Sequence, residues 1–124
     1  MEGEALNMTA VAVGAVAGLI LGFVIYHPKV LGTTWANGSG VSLGEKPSPL
    51  AFVAQILALL SLAVVVGMTA TVNFLGTAVL AILACALFVV AGGLFQSKSA
   101  GALATDAVYV VGAGALMIVA QGIF

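Results

Sequence analysis

The sequence predicts an all-α membrane protein whose four transmembrane helices form a small bundle of two antiparallel hairpins. Of its 124 residues, 63% are hydrophobic and only 6% are charged, whereas about a quarter of the residues of a soluble domain are charged. Four apolar stretches are each long enough to cross the ~30 Å hydrocarbon core of a bilayer as a helix. Short polar connections separate them. The whole chain, 1–124, is therefore predicted to be a single transmembrane domain in the lipid bilayer.

The first predicted helix covers about 8–26 and carries a glycine at every fourth position, at Gly14, Gly18 and Gly22. Residues with this spacing lie on one face of a helix. In lipid, helices associate where small residues allow close approach, because apolar side chains gain little by leaving lipid. The glycine stripe therefore predicts a packing face. Its partner is either another helix of this chain or a second protein chain.

A polar loop is predicted over 27–49. Tyr26, Trp35 and Lys29 are residue types that prefer the membrane–water interface, and we interpret them as interfacial anchors. Because Leu31 and Trp35 are four residues apart, a short interfacial helix over 29–35 would place both on one face. The many glycine, serine and proline residues of 36–48 predict a loop there.

The other three helices are predicted at about 50–72, 74–95 and 101–123. Ser48 and Pro49 are typical of a helix start, and Asn73 separates two helices so closely that they must form a hairpin. Gln55 is the one strongly polar side chain of its helix, and we assign it a structural hydrogen bond. Further small residues predict packing faces on these helices: Ala63, Gly67, Ala81, Cys85 and Gly112. Cys85 is expected to be an inert buried filler.

The three lysines predict the orientation. Lys29 and Lys46 belong to the first loop and Lys98 to the third, whereas the N-terminal tail and the second turn have none. Loops rich in lysine face the cytoplasm, so both termini are expected outside it. The flank before the first helix is acidic, which favours a retained helix over a secretory signal.

Asp106 is the only acidic residue within an apolar stretch. Because a charge inside a membrane is costly, such a residue is a hypothesis of function by default. One interpretation is a proton or cation relay, hydrogen-bonded within its own face, which includes Tyr109, or to Tyr26. The other is a structural charge that pairs with Lys29 or Lys98 and fixes the last helix.

Catalytic and metal-binding roles find little support. His27 is a candidate ligand for a haem or chlorin metal or a pH sensor, or simply a polar residue at the head-group boundary. A single histidine cannot build a metal site from protein alone, so no metal is predicted. We predict no catalytic residues and no enzyme, because no nucleophile–histidine–acid arrangement and no phosphate-binding loop occur. A net charge of −1 does not indicate the basic surface that nucleic-acid binding requires.

Two motifs carry a resemblance to a known family. The first runs from Leu21-Gly22 through Tyr26-His27-Pro28 and Gly32 to Trp35, and the second combines Asp106-Ala107-Val108-Tyr109 with Met117-Ile118. With these motifs the chain resembles the DUF1761 family of small four-helix integral membrane proteins, found mainly in bacteria. It departs from the family pattern at Val24, where tryptophan is usual, and before the last helix, where only Lys98 remains of a basic, proline-containing loop. The resemblance implies the topology and a bacterial inner membrane, but no chemistry.

Three hypotheses of function follow. The first is a non-catalytic structural or accessory subunit that self-associates, or docks on other membrane-protein subunits, through its glycine- and alanine-rich faces. The second is a small oligomeric transporter or channel that uses Asp106. The third is a pigment- or lipid-associated accessory protein, in which His27 would contact a pigment or haem. No cofactor is predicted, although a bound lipid is compatible with the sequence.

Overall fold

The computed structural model describes residues 6–42 and 48–124, and within these residues the regular structure is entirely helical. The helices are α1 (Met8–Ile25), α2 (Thr33–Ser39), α3 (Pro49–Thr71), α4 (Leu75–Phe95) and α5 (Ala100–Ile123), with one π-helical turn at Pro28–Gly32 before α2. The ends of the four long helices lie within one residue of the predicted ends. Local signals explain this agreement. The side chains of Asn7, Ser48 and Ser99 each accept a hydrogen bond from a backbone N–H of the helix that follows.

All four long helices are long and apolar enough to span a membrane. Their outward side chains are apolar, as on α4, where Phe88 is 81% exposed. Water does not solvate such a surface, but lipid does. The prediction of an all-α membrane protein with four spanning helices is therefore confirmed.

Helix α5 is central and contacts each of the other four helices. It runs antiparallel to α1, and the three stripe glycines face residues of α5 that are four positions apart: Gly14 faces Met117, Gly18 faces Ala113 and Gly22 faces Tyr109. A Cβ added at Gly14 would lie 3.1 Å from the Cα of Met117. The glycine stripe therefore packs against another helix of this chain, which was the first of the two predicted partners. Because α5 covers this face, a second chain could dock there only by displacing it.

The other predicted packing residues fall into two groups. Ala63 and Gly67 are buried, and a Cβ added at Gly67 would meet side chains near the start of the chain, including Val11 at 3.0 Å. One added at Gly112 would meet Leu21 of α1 at 2.9 Å. All three therefore lie at contacts within the bundle.

Helix α4 differs from the prediction. Cys85 is exposed and Ala81 is only partly buried, so Cys85 is not a buried filler. The buried face of α4 instead follows Ala78, Ile82 and Ala86, and Ile82 packs against the site of Gly114 on α5. Cys85 lies beside this row rather than in it, because residues four apart stay aligned on a helix.

The predicted polar loop is more helical than expected. Residues 36–39 are part of α2 rather than loop. Helix α2 crosses the start of α5, where the Ser99 N–H donates a hydrogen bond to the Gly38 carbonyl at 3.0 Å. A side chain at Gly38 would overlap the Ser99 hydroxyl, so glycine permits this crossing. Lys46 and the rest of 43–47 lie outside the described residues.

Candidate functional site

A cleft is lined by the second half of α1, the first part of α3, Cys85 and Val89 of α4, and α5. Helices α3 and α4 meet at the turn around Asn73, whose φ of 56° is a left-handed conformation that asparagine tolerates. Away from this turn, residues 49–58 of α3 include no buried residue. The cleft has a volume of about 730 Å³, within the ~300–1,000 Å³ range of small-molecule sites. Most of its wall is apolar and includes Leu19, Phe23, Phe52, Leu62, Val89 and Val110.

One end of the cleft is polar. We call its six side chains the polar cluster: Tyr26, Trp35, Gln55, Lys98, Asp106 and Tyr109. They come from the end of α1, from α2, α3 and α5, and from the turn between α4 and α5. The cleft therefore combines apolar walls with one polar end.

Asp106 is the centre of the polar cluster and is only 8% exposed. Its Oδ1 accepts a hydrogen bond from the Tyr26 hydroxyl at 2.5 Å. Its Oδ2 accepts one from the Lys98 ammonium at 3.2 Å, which is also an ion pair. A buried carboxylate needs such partners, because removing a charge from water is costly. Both partners had been named from the sequence, in competing interpretations, whereas Lys29 is exposed and does not bind Asp106.

Tyr26 supports this arrangement from just beyond the end of α1. Burial and then the hydrogen bond to Asp106 raise the pKa of its phenol above the ordinary value. The hydroxyl therefore keeps its proton and acts as the donor to the carboxylate. A deprotonated Tyr26 would place a second negative charge beside Asp106.

A second hydrogen-bonded chain runs beside the first. The Gln55 amide donates to the Tyr109 hydroxyl at 2.6 Å, and that hydroxyl donates to the Gly18 carbonyl at 3.1 Å. The Tyr109 ring lies against Gly22, where an added Cβ would be 3.2 Å from the ring. The glycine stripe therefore also makes room for Tyr109.

Trp35 closes the polar end from α2. Its ring meets Tyr26 edge-on, with centroids 5.2 Å apart, and Tyr26 in turn meets Tyr109 at 5.5 Å. The Lys98 ammonium lies 5.6 Å from the centre of the Trp35 ring. The indole N–H is buried and has no hydrogen-bond partner in the part of the chain that the structure describes. Trp35 and Tyr26 thus pack against the cleft's charged groups, a role that their interpretation as anchors in the interface did not include.

His27 has a local role. Its Nδ1 accepts a hydrogen bond from the Lys29 backbone N–H at 3.1 Å, so it caps the π-helical turn. His27 is exposed and is not part of the cleft wall. Among residues 6–42 and 48–124, no group of three or more histidine, cysteine, aspartate or glutamate side chains is placed to hold a metal ion.

These features define an integral membrane protein of the four-helix class, with a cleft that is apolar along its walls and polar at one end. The model of the family described as "Protein of unknown function (DUF1761)" matches residues 9–122. The chain belongs to this family, which confirms the resemblance seen in the sequence. No curated protein and no solved structure matches the chain.

Proposed function

We propose that this is a non-catalytic membrane protein that binds an amphiphilic small molecule in the cleft. The apolar part of the ligand would lie along the walls and its polar end on the polar cluster. The observation that carries the proposal is that a cleft of about 730 Å³ ends at Asp106, Lys98 and Trp35. This develops the hypothesis of a lipid-associated protein.

The polar end matters because apolar walls alone do not select a ligand inside a membrane. Lipid tails are as apolar as the walls, so little is gained by exchanging one for the other. Polar groups differ, because a hydrogen bond is stronger in surroundings of low dielectric constant. The cluster has capacity for such a bond, because the buried Trp35 N–H has no partner among the described residues.

The other two hypotheses find less support. An accessory subunit was expected to dock through Gly14, Gly18 and Gly22, but α5 covers this face. A transporter was expected to use Asp106 as an ion relay, but both carboxylate oxygens are engaged by Tyr26 and Lys98.

The single tryptophan of the chain, Trp35, provides a test because it lies in the cleft wall. Purified protein is reconstituted in nanodiscs that contain lipids with brominated acyl chains, which quench tryptophan fluorescence on contact. Ala58→Phe places a phenyl ring in the cleft, whereas the matched control Ala54→Phe changes an exposed residue of the same helix outside the wall. We expect Trp35 quenching to fall in Ala58→Phe and to be unchanged in Ala54→Phe. Equal quenching in both variants, together with no binding of an apolar ion to the purified protein, would refute the proposal.

We also propose that the polar end of the cleft faces the cytoplasm of a bacterial cell, with both termini outside. Lys29 and Lys98 both belong to this end of the bundle, where α1 ends and α5 begins, and lysine-rich loops stay inside. In a Cys85→Ala background, a membrane-impermeant maleimide is expected to label Gly122→Cys in intact cells. It should label Asn37→Cys only after permeabilisation. The reverse pattern would show that the orientation is inverted.

A further inference from the structure

The Lys98 ammonium lies within the polar cluster, between a carboxylate and an aromatic ring. This ammonium lies 3.2 Å from the Asp106 carboxylate and 5.6 Å from the centre of the Trp35 ring. A carboxylate and an aromatic face are the two groups that proteins combine around organic cations. Tyr26 and Tyr109 continue the aromatic wall. Lys98 therefore occupies a cation site made of the chain's own groups.

The walls of this site are more firmly held than its occupant. Asp106 and Tyr109 are buried on α5, and Tyr26 is bonded to Asp106. Lys98, in contrast, belongs to the turn between α4 and α5, and its side chain is 19% exposed. A lysine carries its charge on a long flexible stem, which can reach toward the head groups. The ammonium can therefore leave the site without movement of a helix.

Once the Lys98 ammonium has left, the negative charge of the Asp106 carboxylate determines which ligand can replace it. If the ammonium leaves alone, the buried Asp106 carboxylate loses its ionic partner, which is strongly unfavourable. A cationic ligand restores the pair and leaves the net charge of the site unchanged. An anionic ligand would face the Asp106 carboxylate, and a neutral one could not replace the ammonium.

We propose that the cleft binds an organic cation with an apolar body, and that the Lys98 ammonium occupies the cation site until this ligand displaces it. The inference rests on the proposed function and names its ligand class. The cation would lie between Asp106 and Trp35, with its apolar body along the walls of the cleft. It can be the ammonium head group of a lipid or a free apolar cation.

Tetraphenylphosphonium and tetraphenylborate test the sign of the charge, because the two ions are nearly identical in size and shape but opposite in charge. Binding to the purified full-length chain is measured by equilibrium dialysis. We expect the cation to bind more tightly than the anion. Lys98→Gln removes the internal competitor and should tighten cation binding by about tenfold, which corresponds to roughly 1.4 kcal/mol. Asp106→Asn should weaken it by a similar factor.

Lys29→Gln is the matched control, because it removes the same charge from an exposed position outside the cleft. Its cation affinity should equal that of the wild type. A second arm distinguishes the sources of the cation by comparing Trp35 quenching in nanodiscs of brominated phosphatidylethanolamine and brominated phosphatidylglycerol. Stronger quenching by the ethanolamine lipid supports a lipid head group. Equal quenching, together with tight tetraphenylphosphonium binding, supports a free cation.

The inference fails if tetraphenylborate binds as tightly as tetraphenylphosphonium, or if Lys98→Gln weakens cation binding. In either case a difference in quenching between Ala58→Phe and Ala54→Phe would still support the binding of an amphiphile in the cleft. If that difference is also absent and neither ion binds, the proposed function fails as well. The two failures are therefore distinguishable, and neither depends on the folding of the Asp106 variant.

Discussion

Replacing Asp106 with alanine is expected to lower the free energy of unfolding by about 2 kcal/mol, because the Lys98 ammonium and the Tyr26 hydroxyl lose their shared acceptor. The value is below the ~3–5 kcal/mol of a broken, fully buried pair, because the Lys98 side chain is 19% exposed and can turn toward the head groups. Equilibrium unfolding in mixed detergent micelles, followed by far-UV circular dichroism, measures the change.

A double-mutant cycle with Tyr26→Phe tests the cause of this loss. Tyr26→Phe alone is expected to cost about 1 kcal/mol, the usual net value of one hydrogen bond. Added to Asp106→Ala it should cost almost nothing, because its partner is already gone, which gives a coupling energy of about 1 kcal/mol. Lys29→Ala serves as a control and should stay within about 0.5 kcal/mol of the wild type. Additive losses would mean that Tyr26 and Asp106 do not interact.

The fold was largely predictable because its main signals are local. A membrane span depends on the length and apolar character of one stretch, and its ends depend on nearby residues such as Ser48 and Ser99. The structure places the four long helices within one residue of the prediction. Residues 36–39 were missed because their glycine and asparagine content favours a loop. Their helix packs across α5 through Gly38, a tertiary contact that no local pattern contains.

The site was only partly predictable. Asp106 stands out because an acid within an apolar stretch is rare and costly. Its partners are eight and 80 residues away in the chain, so the sequence offered candidates and the three-dimensional arrangement selected among them. The structural hydrogen bond assigned to Gln55 is present, to Tyr109, whereas the contacts of Trp35 with Tyr26 and Lys98 had no signal in the sequence. The signal for Gln55 was its isolation as the one strongly polar side chain of its helix.

The glycine stripe shows a different limit of the sequence. Small residues every four positions allow close packing, but the spacing is identical whether the partner is internal or external. Which partner is used depends on the residues that face the stripe, and these are Met117, Ala113 and Tyr109 of α5. Cys85 shows the same limit, because a small residue beside a packed row resembles one within it.

Gly14→Leu is expected to lower the free energy of unfolding by about 3 kcal/mol, at the upper end of the usual cost of overpacking. An added Cβ would lie 3.1 Å from the Met117 Cα, which is backbone and cannot rotate away. Met117 is 1% exposed, so its side chain has no open space to enter. Helices α1 and α5 must therefore separate. Unfolding in mixed micelles measures the loss.

Gly92→Leu on α4 is the matched control, because an added Cβ there meets nothing within 4 Å. It should leave the stability unchanged or raise it by up to about 1 kcal/mol, since leucine favours a helix more than glycine does. The separation caused by Gly14→Leu should also reach the cleft, because the same interface holds Tyr109 on Gly18 and Asp106 on Tyr26. We therefore expect shifted Trp35 emission in Gly14→Leu but not in Gly92→Leu. A Gly14→Leu protein with wild-type stability and emission would disprove the close contact between α1 and α5 on which the polar cluster depends.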